Sequence, residues 1–394
     1  MSTRTEDQAL TGLKATGQAA LPEVMAAALL TGHGGLEKLE YRTDVPVPVP
    51  GVGEVLIEVA AAGINNTDIN TRIGWYSKAV DSGTNAGGAD GFEKITDADA
   101  AWSGEALTFP RIQGADAAGR IVAVGPGVPG ERIGERVLVR NMLRTYVGYR
   151  PYECWTFGSE CDGGFAQFAV APSGETYAVN SDWSDADLAA IPCAYSTAEN
   201  MLHRAGVGAE RVLITGASGG VGLAAVQLAK RRGATVTAVC SAVKAGQVLA
   251  EGADRAIDRG TDLVAELGRN SFDVVIDIVG GSQAGQLLDL LRAGGRYAIA
   301  GAISGPLAQI DLRTIYLKEL SLLGCTFQED RVFENLISYI EANEIHPVVS
   351  KTYPLADIAQ AQEDFLSKKH TGKLVLLPPA ATSANPANTN KTEI

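Results

Sequence analysis

The chain of 394 residues is long enough for two or three domains of about 150 residues each. It carries 46 acidic and 33 basic residues, a formal net charge of −13, which argues against binding to a nucleic-acid backbone. No apolar run reaches the length of a membrane span, and five widely spread cysteines indicate a reduced, cytoplasmic protein rather than a disulfide framework.

The first part of the chain has the punctuation of a β-rich domain. Residues 1–22 are polar and alanine-rich, and we expect them to form a flexible arm. From residue 23 to 190, short apolar runs such as VMAAALL, EVLIEVAAAG and GRIVAVG alternate with Gly and Pro. This spacing is typical of a partly barrel-like set of strands. At the other end, residues 380–394 are rich in Ser, Thr, Asn and Pro and predict a disordered tail.

Two unusual stretches interrupt this region. GINNTDIN follows a buried strand, and we predict that Asp68 and Arg72 form a structural pair in the turn after it. The segment 77–108 is polar and glycine-rich. A connection of this length without periodicity predicts either a lid or a disordered loop.

The pattern changes near Ser184, a good N-cap for the helix SDADLAAI. Continuous Val- and Ile-rich runs then alternate with helical segments: RVLITG, ATVTAVC, FDVVIDIVG, RYAIAG and SLLGCT. Such strands are typical of a parallel sheet covered by helices on both faces. We therefore predict a doubly wound domain over residues 191–329, followed by one helix and a closing strand, KLVLLP.

A dinucleotide fingerprint opens this domain. ITGASGGVGLAAVQLAKRRG has the order of strand, glycine turn and helix that the fingerprint requires, with alanine in the first glycine position. Gly219 would let the backbone approach a pyrophosphate, and Gly222 would let the helix pack on the strand. A lone glycine pattern is weak evidence, but here its context agrees. The predicted phosphate-binding residues are Ala217, Ser218, Gly219, Gly220, Val221 and Gly222.

The end of the second strand favours NADPH. An NAD site carries Asp or Glu about 20 residues after the fingerprint, but this chain has no acid there before Glu251. Ser241 and Lys244 suit a 2′-phosphate, with Arg259 as a weaker second cation. The alternative is that Lys244 is a solvated helix residue. Two residues after a later strand complete the expected cofactor site, Gly301 and Ala302.

The order of domains and a set of motifs resemble the medium-chain dehydrogenase/reductase superfamily. The motifs are GEVLIEVAAAGIN, QGADAAGRIVAVG, GGFAQFAV, ITGASGGVG and TGKLVLL, within residues 24–378. Within the superfamily, the sequence resembles the zinc-free quinone oxidoreductase and enoyl reductase branch more than it resembles the zinc alcohol dehydrogenases. It implies an α/β plus β-rich fold, with a GroES-like β-barrel catalytic domain over 23–190 and 330–379 and a Rossmann cofactor domain over 191–329.

The resemblance also bears on metal binding. Zinc-dependent members of the superfamily use a Cys, a His-Glu pair and a later Cys. The corresponding positions here hold Asn65, Ala115 with Asp116, and Cys193. Because a catalytic Zn²⁺ needs three protein ligands, we expect no metal.

Four residues are candidates for catalysis. The resemblance places Asn65 on the pocket floor, where its amide could donate to a carbonyl or hold a water. It places Tyr195 and Thr197 beside the nicotinamide, and the alternative for Thr197 is an ordinary helix hydroxyl. Tyr76 and Tyr195 are candidate proton donors, and water is a third.

The expected reaction is hydride transfer from NADPH to an activated C=C bond or a quinone, whose conjugation replaces activation by zinc. An apolar or aromatic substrate suits the tryptophans at 75, 102 and 155, although core packing explains a tryptophan more often. There are three alternatives: an enoyl-thioester reductase, a zinc-type alcohol dehydrogenase, and a non-enzymatic NADPH-binding protein. The first rests on the stretch ECWTFGSECDGGFAQF, which is similar to crotonyl-CoA reductase-like members of the superfamily. The apolar edge strand SLLGCT and the resemblance together predict a homodimer.

Overall fold

The structure, a computed structural model, describes residues 21–95 and 97–380, so the predicted arm and tail fall almost entirely outside the described residues. Those described residues confirm the predicted fold class, in which antiparallel β-rich sheets accompany a parallel sheet covered by helices. Within the same ranges no helix is long and apolar enough to cross a membrane.

The β-rich part consists of short strands separated by turns, as the Gly- and Pro-punctuated sequence predicts. The strands are β1 (Val24–Leu30), β2 (Leu39–Pro46), β3 (Glu54–Gly63), β4 (Arg111–Ile112), β5 (Ala118–Val124), β6 (Arg136–Val139), β7 (Met142–Leu143), β8 (Trp155–Thr156), β9 (Phe168–Pro172) and β10 (Thr176–Ala178). A short helix, α1 (Asn66–Ile73), follows β3. β3 is largely buried because both β5 and β9 pair with it in antiparallel fashion.

Helix α2 (Asp185–Ala189) begins where predicted, since the Ser184 hydroxyl accepts a hydrogen bond from the Asp187 amide at 3.1 Å. The helices of the cofactor domain are α3 (Pro192–Arg204), α4 (Gly220–Arg231), α5 (Ala245–Ala250), α6 (Leu263–Leu267), α7 (Ala284–Leu290) and α8 (Leu312–Leu317). Its strands are β11 (Arg211–Ile214), β12 (Thr235–Cys240), β13 (Arg255–Asp258), β14 (Phe272–Asp277), β15 (Leu291–Ile299) and β16 (Ser321–Gly324).

These six strands are all parallel, in the order β13-β12-β11-β14-β15-β16. The order reverses between β11 and β14, and open sheets of this kind bind dinucleotides at the carboxyl ends of the strands beside the reversal. The predicted edge strand β16 does close one side of this sheet.

The last segment contains α9 (Asp330–Glu341), β17 (Val349–Pro354), α10 (Ile358–Leu366) and β18 (Lys373–Leu377). The prediction of a single helix here is wrong. Helix α10 buries only Ile358, Ala361 and Gln362, and one glutamine among three buried positions leaves little apolar signal in the sequence. β18 lies between β3 and β17 and so joins the end of the chain to the β-rich domain.

Helix α9 begins at residue 330, the predicted domain boundary, and contacts both domains. It packs against α3 of the cofactor domain. Its Phe333 ring also lies 4.9 Å from the Tyr177 ring, which belongs to the β-rich domain. The helix is therefore part of the junction between the two domains.

The described part of segment 77–108 is attached to both domains. The Thr84 amide donates to the Ile303 carbonyl of the cofactor domain at 3.1 Å, and Arg72 Nη2 donates to the Gly88 carbonyl at 2.6 Å. The predicted pair of Asp68 and Arg72 is wrong. The Arg72 guanidinium binds the carbonyl oxygens of this segment and its neighbourhood, while the Asp68 carboxylate accepts only backbone N–H groups.

Candidate active site

A buried ion pair lies where the β-rich domain meets α3 and the glycine turn, and we call it the floor of the candidate site. Lys373, the first residue of β18, donates from Nζ to Asn65 Oδ1 at 2.6 Å, to Asp116 Oδ2 at 2.8 Å and to the Ile64 carbonyl at 3.1 Å. Asn65 Nδ2 donates in turn to Asp116 Oδ2 at 2.8 Å and to the Gly63 carbonyl at 3.3 Å. Both amide hydrogens of Asn65 are therefore used inside this network, so Asn65 orients the floor and has no donor left for a substrate carbonyl.

The Cys193 thiol and the Asp68 carboxyl group lie next to this ion pair. Asp116 Oδ1 accepts from the Cys193 amide at 2.6 Å, so both carboxylate oxygens are engaged. The Cys193 thiol is buried, and burial together with Asp116 raises its pKa, which makes it a poor nucleophile at neutral pH. Burial also raises the pKa of Asp68 to about 7, against the opposing hydrogen bond from the Asn65 amide.

Two hydroxyl groups lie near the floor, one on α1 and one shortly after it. The Thr67 Oγ1 and Tyr76 OH oxygens are 3.0 Å apart. Burial raises the pKa of Tyr76, and the nearby Cys193 adds to this shift, so the phenol stays protonated at neutral pH. Tyr76, a predicted catalytic residue, is thus brought close to the floor. Thr67 lies in the GINNTDIN motif, but sequence reasoning gave it no role.

Aromatic rings extend the wall beside these hydroxyls. The Trp102 ring meets Tyr76 edge to face, with centroids 5.3 Å apart and planes at 87°. The Trp75 ring also packs edge to face with Tyr76, with centroids 5.7 Å apart. The third tryptophan expected near the substrate, Trp155, instead packs on Tyr146, with ring centroids 5.2 Å apart.

Helix α3 divides the two residues predicted to lie beside the nicotinamide. Thr197 is half-buried, and its hydroxyl lies within hydrogen-bonding reach of the Cys193 thiol on the same helix face. Tyr195 lies two positions from Cys193, which turns it about 200° around the helix. Its hydroxyl donates to Gln227 Oε1 on α4 at 2.9 Å, so Tyr195 packs between two helices, contrary to the prediction.

The glycine turn fits a pyrophosphate. Gly216 has φ +61° and turns the chain from β11 into α4, which begins at Gly220. A Cβ on Gly222 would lie 2.3 Å from the Gly216 carbonyl oxygen, so only glycine allows this helix to pack on the turn. A Cβ on Gly219 would meet only that same oxygen, at 3.6 Å, so the approach to the free N–H groups of α4 is open.

The turn and the floor are physically joined. The Gly372 amide donates to the Ser218 carbonyl at 3.0 Å, and Gly219 and Gly372 form a parallel β-bridge. A Cβ on Gly220 would lie 2.8 Å from Lys373 Cδ. The expected cofactor residues Gly301 and Ala302 follow β15 and pack against the chain after β14, at the same end of the sheet.

Cations gather at the end of β12. Lys244 Nζ donates to the Lys368 carbonyl at 2.8 Å and to the His370 carbonyl, so it is not a freely solvated residue. Burial, and then Arg259, lowers the pKa of Lys244. Burial, and then Lys244, lowers the pKa of Lys368 to about 8. Lys368 was missed because it belongs to the β-rich domain and reaches this position only in the folded chain.

One carboxylate lies beside these cations, contrary to the expectation that none would. Asp258 ends β13 opposite Cys240, and its oxygens accept from the Ala242 amide at 2.8 Å and the Gly260 amide at 2.9 Å. These two hydrogen bonds lower the pKa of Asp258. The register of the neighbouring parallel strand, rather than the sequence after the fingerprint, brings this acid next to Ser241.

Comparisons with known proteins agree with this architecture. Residues 51–181 match the model of the alcohol dehydrogenase GroES-like domain, and residues 220–342 match that of zinc-binding dehydrogenase. The chain is 31% identical over 379 residues to quinone oxidoreductase of Lama guanicoe, covering 92% of this chain and 99% of the relative. It is 29% identical to acryloyl-coenzyme A reductase of Metallosphaera sedula, covering 89% and 99%. A crystal structure of a protein from Sinorhizobium meliloti 1021 superimposes with a TM-score of 0.80 at 44% identity, covering 91% and 98%.

The zinc that one of these family models is named for does not fit the floor. Asp116 and Cys193 are potential ligands there, but Asn65 offers a neutral amide and Ala115 offers nothing. The Lys373 ammonium already lies against Asp116, and a second cation beside it would be repelled. Within residues 21–95 and 97–380, no group of three His, Cys, Asp or Glu side chains could hold a metal ion.

Proposed function

We propose that this chain, which belongs to the medium-chain dehydrogenase/reductase superfamily and to its quinone oxidoreductase-like branch, is an NADPH-dependent reductase of quinones or activated C=C bonds that works without zinc. The observation that carries the proposal is the contact between the glycine turn and the floor. Through Gly372 and Lys373, the glycine turn that would hold a pyrophosphate is joined to the floor. The floor residue Asn65 directly precedes α1, which carries Thr67 and its partner hydroxyl, that of Tyr76.

The residues of the chain divide the work of binding and proton supply. When bound, the nicotinamide cofactor supplies the hydride. The N-terminus of α4 would hold its pyrophosphate, and Thr197 lies on the face of α3 that borders the floor. Tyr76, kept protonated by burial and paired with Thr67, is the donor placed to bond the substrate oxygen that gains charge. With substrate bound, the tryptophans packed on Tyr76 would help to shield this oxygen from water.

A substrate panel tests the activity. Purified protein should oxidise NADPH in the presence of a simple quinone or an enone, and should not reduce NADP⁺ with saturated alcohols. Oxidation of a saturated alcohol at a rate similar to quinone reduction would contradict the proposal. A complete absence of turnover with every activated acceptor would favour a non-enzymatic NADPH-binding role.

An enoyl thioester is the second candidate acceptor, because one of the relatives, an acryloyl-coenzyme A reductase, matches this chain over 99% of its own length. Both acceptors present a conjugated carbonyl to the same two hydroxyls. Crotonyl-CoA and acryloyl-CoA therefore belong in the panel, and their kcat/KM values beside that of a quinone decide between the two acceptor classes.

Metal removal is expected to leave the activity unchanged. Dialysis against EDTA should give protein with well below one zinc per chain and with full quinone or enone reductase activity, because Lys373 supplies the positive charge at the floor. Elemental analysis and the assay of the same sample check this. Near-stoichiometric zinc that is lost together with activity would overturn the zinc-free assignment.

We also propose a homodimer formed through β16. This edge strand has Leu322 partly exposed, and the preceding α8 exposes Leu312, Tyr316 and Leu317 at 68%, 61% and 72%. Apolar side chains beside an unpaired strand edge favour self-association. Light scattering at micromolar concentration should give the mass of two chains, and Leu322→Lys with Leu317→Lys should give one. A monomeric wild-type protein would contradict this surface assignment.

A further inference from the structure

Segment 77–108 contributes an aromatic wall beside Tyr76, the proposed hydrogen-bond donor to the substrate. Its Trp102 packs edge to face on Tyr76, and the next residue, Ser103, donates from its amide to Glu160 Oε1 at 2.8 Å. Trp102 also lies within hydrogen-bonding reach of the Cys154 thiol. The indole is half-buried, so part of its surface packs on the protein and part is open to solvent.

A carboxylate is fixed in the same wall. Besides the Ser103 amide, Glu160 accepts from the Thr156 amide through Oε2 at 2.8 Å. The Ser159 hydroxyl donates to Oε1 as well, at 3.4 Å. All three donors are neutral, so they orient the charge without cancelling it. The nearby Arg111 is held by Asp162 at 2.9 Å instead. Glu160 thus presents a negative charge between Trp102 and the strand β8.

We propose that Trp102 and Glu160 are the specificity residues of this pocket and that they select flat, uncharged acceptors over anionic acceptors of the same size. This proposal rests on the proposed reductase function. The indole gives a conjugated ring a surface to stack on, which favours planar acceptors. The fixed carboxylate repels an acceptor that carries its own negative charge, and salt screens such a repulsion only in part at separations below a Debye length of about 8–10 Å.

A matched pair of quinones tests the charge selection. 1,4-Naphthoquinone and its 2-sulfonate differ by one anionic group, and the kcat/KM ratio of neutral to anionic compound is independent of the fraction of active protein. We expect Glu160→Gln to lower this ratio by about tenfold or more relative to wild type. Glu153→Gln, which removes a solvent-exposed carboxylate paired with Arg150, should leave the ratio unchanged. An unchanged ratio in Glu160→Gln overturns the role of Glu160.

Trp102→Ala tests the selection of planar acceptors. The kcat/KM ratio of 1,4-naphthoquinone to methyl vinyl ketone should fall by about threefold to tenfold, since the lost stacking affects mainly the ring compound. Trp183→Ala, which removes a tryptophan packed on His346, is the control. An unchanged ratio in Trp102→Ala overturns the role of Trp102.

A binding measurement separates this inference from the proposed function. Equilibrium dialysis of the two naphthoquinones gives dissociation constants without turnover, and their ratio should shift in Glu160→Gln as the kinetic ratio does. Suppose that wild-type protein reduces no activated acceptor but still binds the neutral naphthoquinone more tightly than its sulfonate, and that Glu160→Gln removes this difference. That result would contradict the proposed function and support the role of Glu160. Equal affinity for both compounds would overturn the inference even if quinone reduction is found.

Discussion

Lys373→Met is expected to lower the free energy of unfolding by about 3–5 kcal/mol, the cost of leaving a buried charge without its partner. The Asp116 side chain is fully buried and that of Lys373 is 4% exposed. The substitution keeps an unbranched apolar side chain, one atom shorter than lysine, but removes three hydrogen bonds, to Asn65, Asp116 and Ile64. Urea unfolding of both proteins at pH 7, followed by circular dichroism, measures the difference.

The neighbouring strand offers a matched control. Lys351 on β17 pairs with Asp364 at 3.0 Å, but its side chain is 47% exposed. Lys351→Met should therefore cost no more than about 1 kcal/mol. Adding Asp116→Asn to Lys373→Met should recover part of the loss, because the unpaired charge is then removed. Equal losses in the two lysine variants would show that the floor is not held by this ion pair.

The second prediction concerns the choice of cofactor. A charge-assisted contact to phosphate contributes about 1.5–3 kcal/mol, or about tenfold to a hundredfold in affinity. With Lys244, Arg259 and Lys368 around Ser241, the protein should prefer NADPH over NADH by about that ratio in kcat/KM. Asp258 acts in the opposite direction, because the two backbone amides that bond its oxygens lower its pKa and keep it ionised. The expected preference therefore depends on three cations outweighing this one carboxylate. Steady-state kinetics with both cofactors checks the preference.

Lys244→Ala should reduce the preference by weakening the use of NADPH while leaving that of NADH nearly unchanged. The control is Lys369→Ala, which removes an exposed lysine next to Lys368 and should change neither. A wild-type preference for NADH would contradict the NADPH assignment. Equal losses with both cofactors in Lys244→Ala would show that this lysine only holds the carbonyls of residues 368 and 370.

Local sequence patterns predict most of the fold because they coincide with local structure. The Val- and Ile-rich runs became β11, β12 and β14, and Ser184 caps α2 as expected. Gly222 is required for the packing that the fingerprint implies. Helix α10 was missed because its buried face includes Gln362 and lacks a clear apolar period.

The active site was predicted less completely because its contacts are long-range. Lys373 and Asn65 are separated by 308 positions in the sequence, and no local pattern links them. A lysine at the start of the apolar run KLVLL was the available signal, since a charge next to a buried strand needs a partner. Asp258 and Lys368 likewise reach the cation cluster only through strand register and domain contact.

The position of β18 has a consequence for synthesis of the chain on the ribosome. This strand pairs with the end of β3, but it is translated roughly 15–60 s later if elongation proceeds at about 5–20 residues per second. The six strands of the parallel sheet all lie between residues 211 and 324, so this sheet contains no strand that is translated later. The cofactor domain can thus complete its sheet during translation. The end of β3, in contrast, has no partner on the side of β18 until residues 375 and 376 have been made. Nascent chains halted before residue 373 should therefore be the ones that need chaperone protection against aggregation.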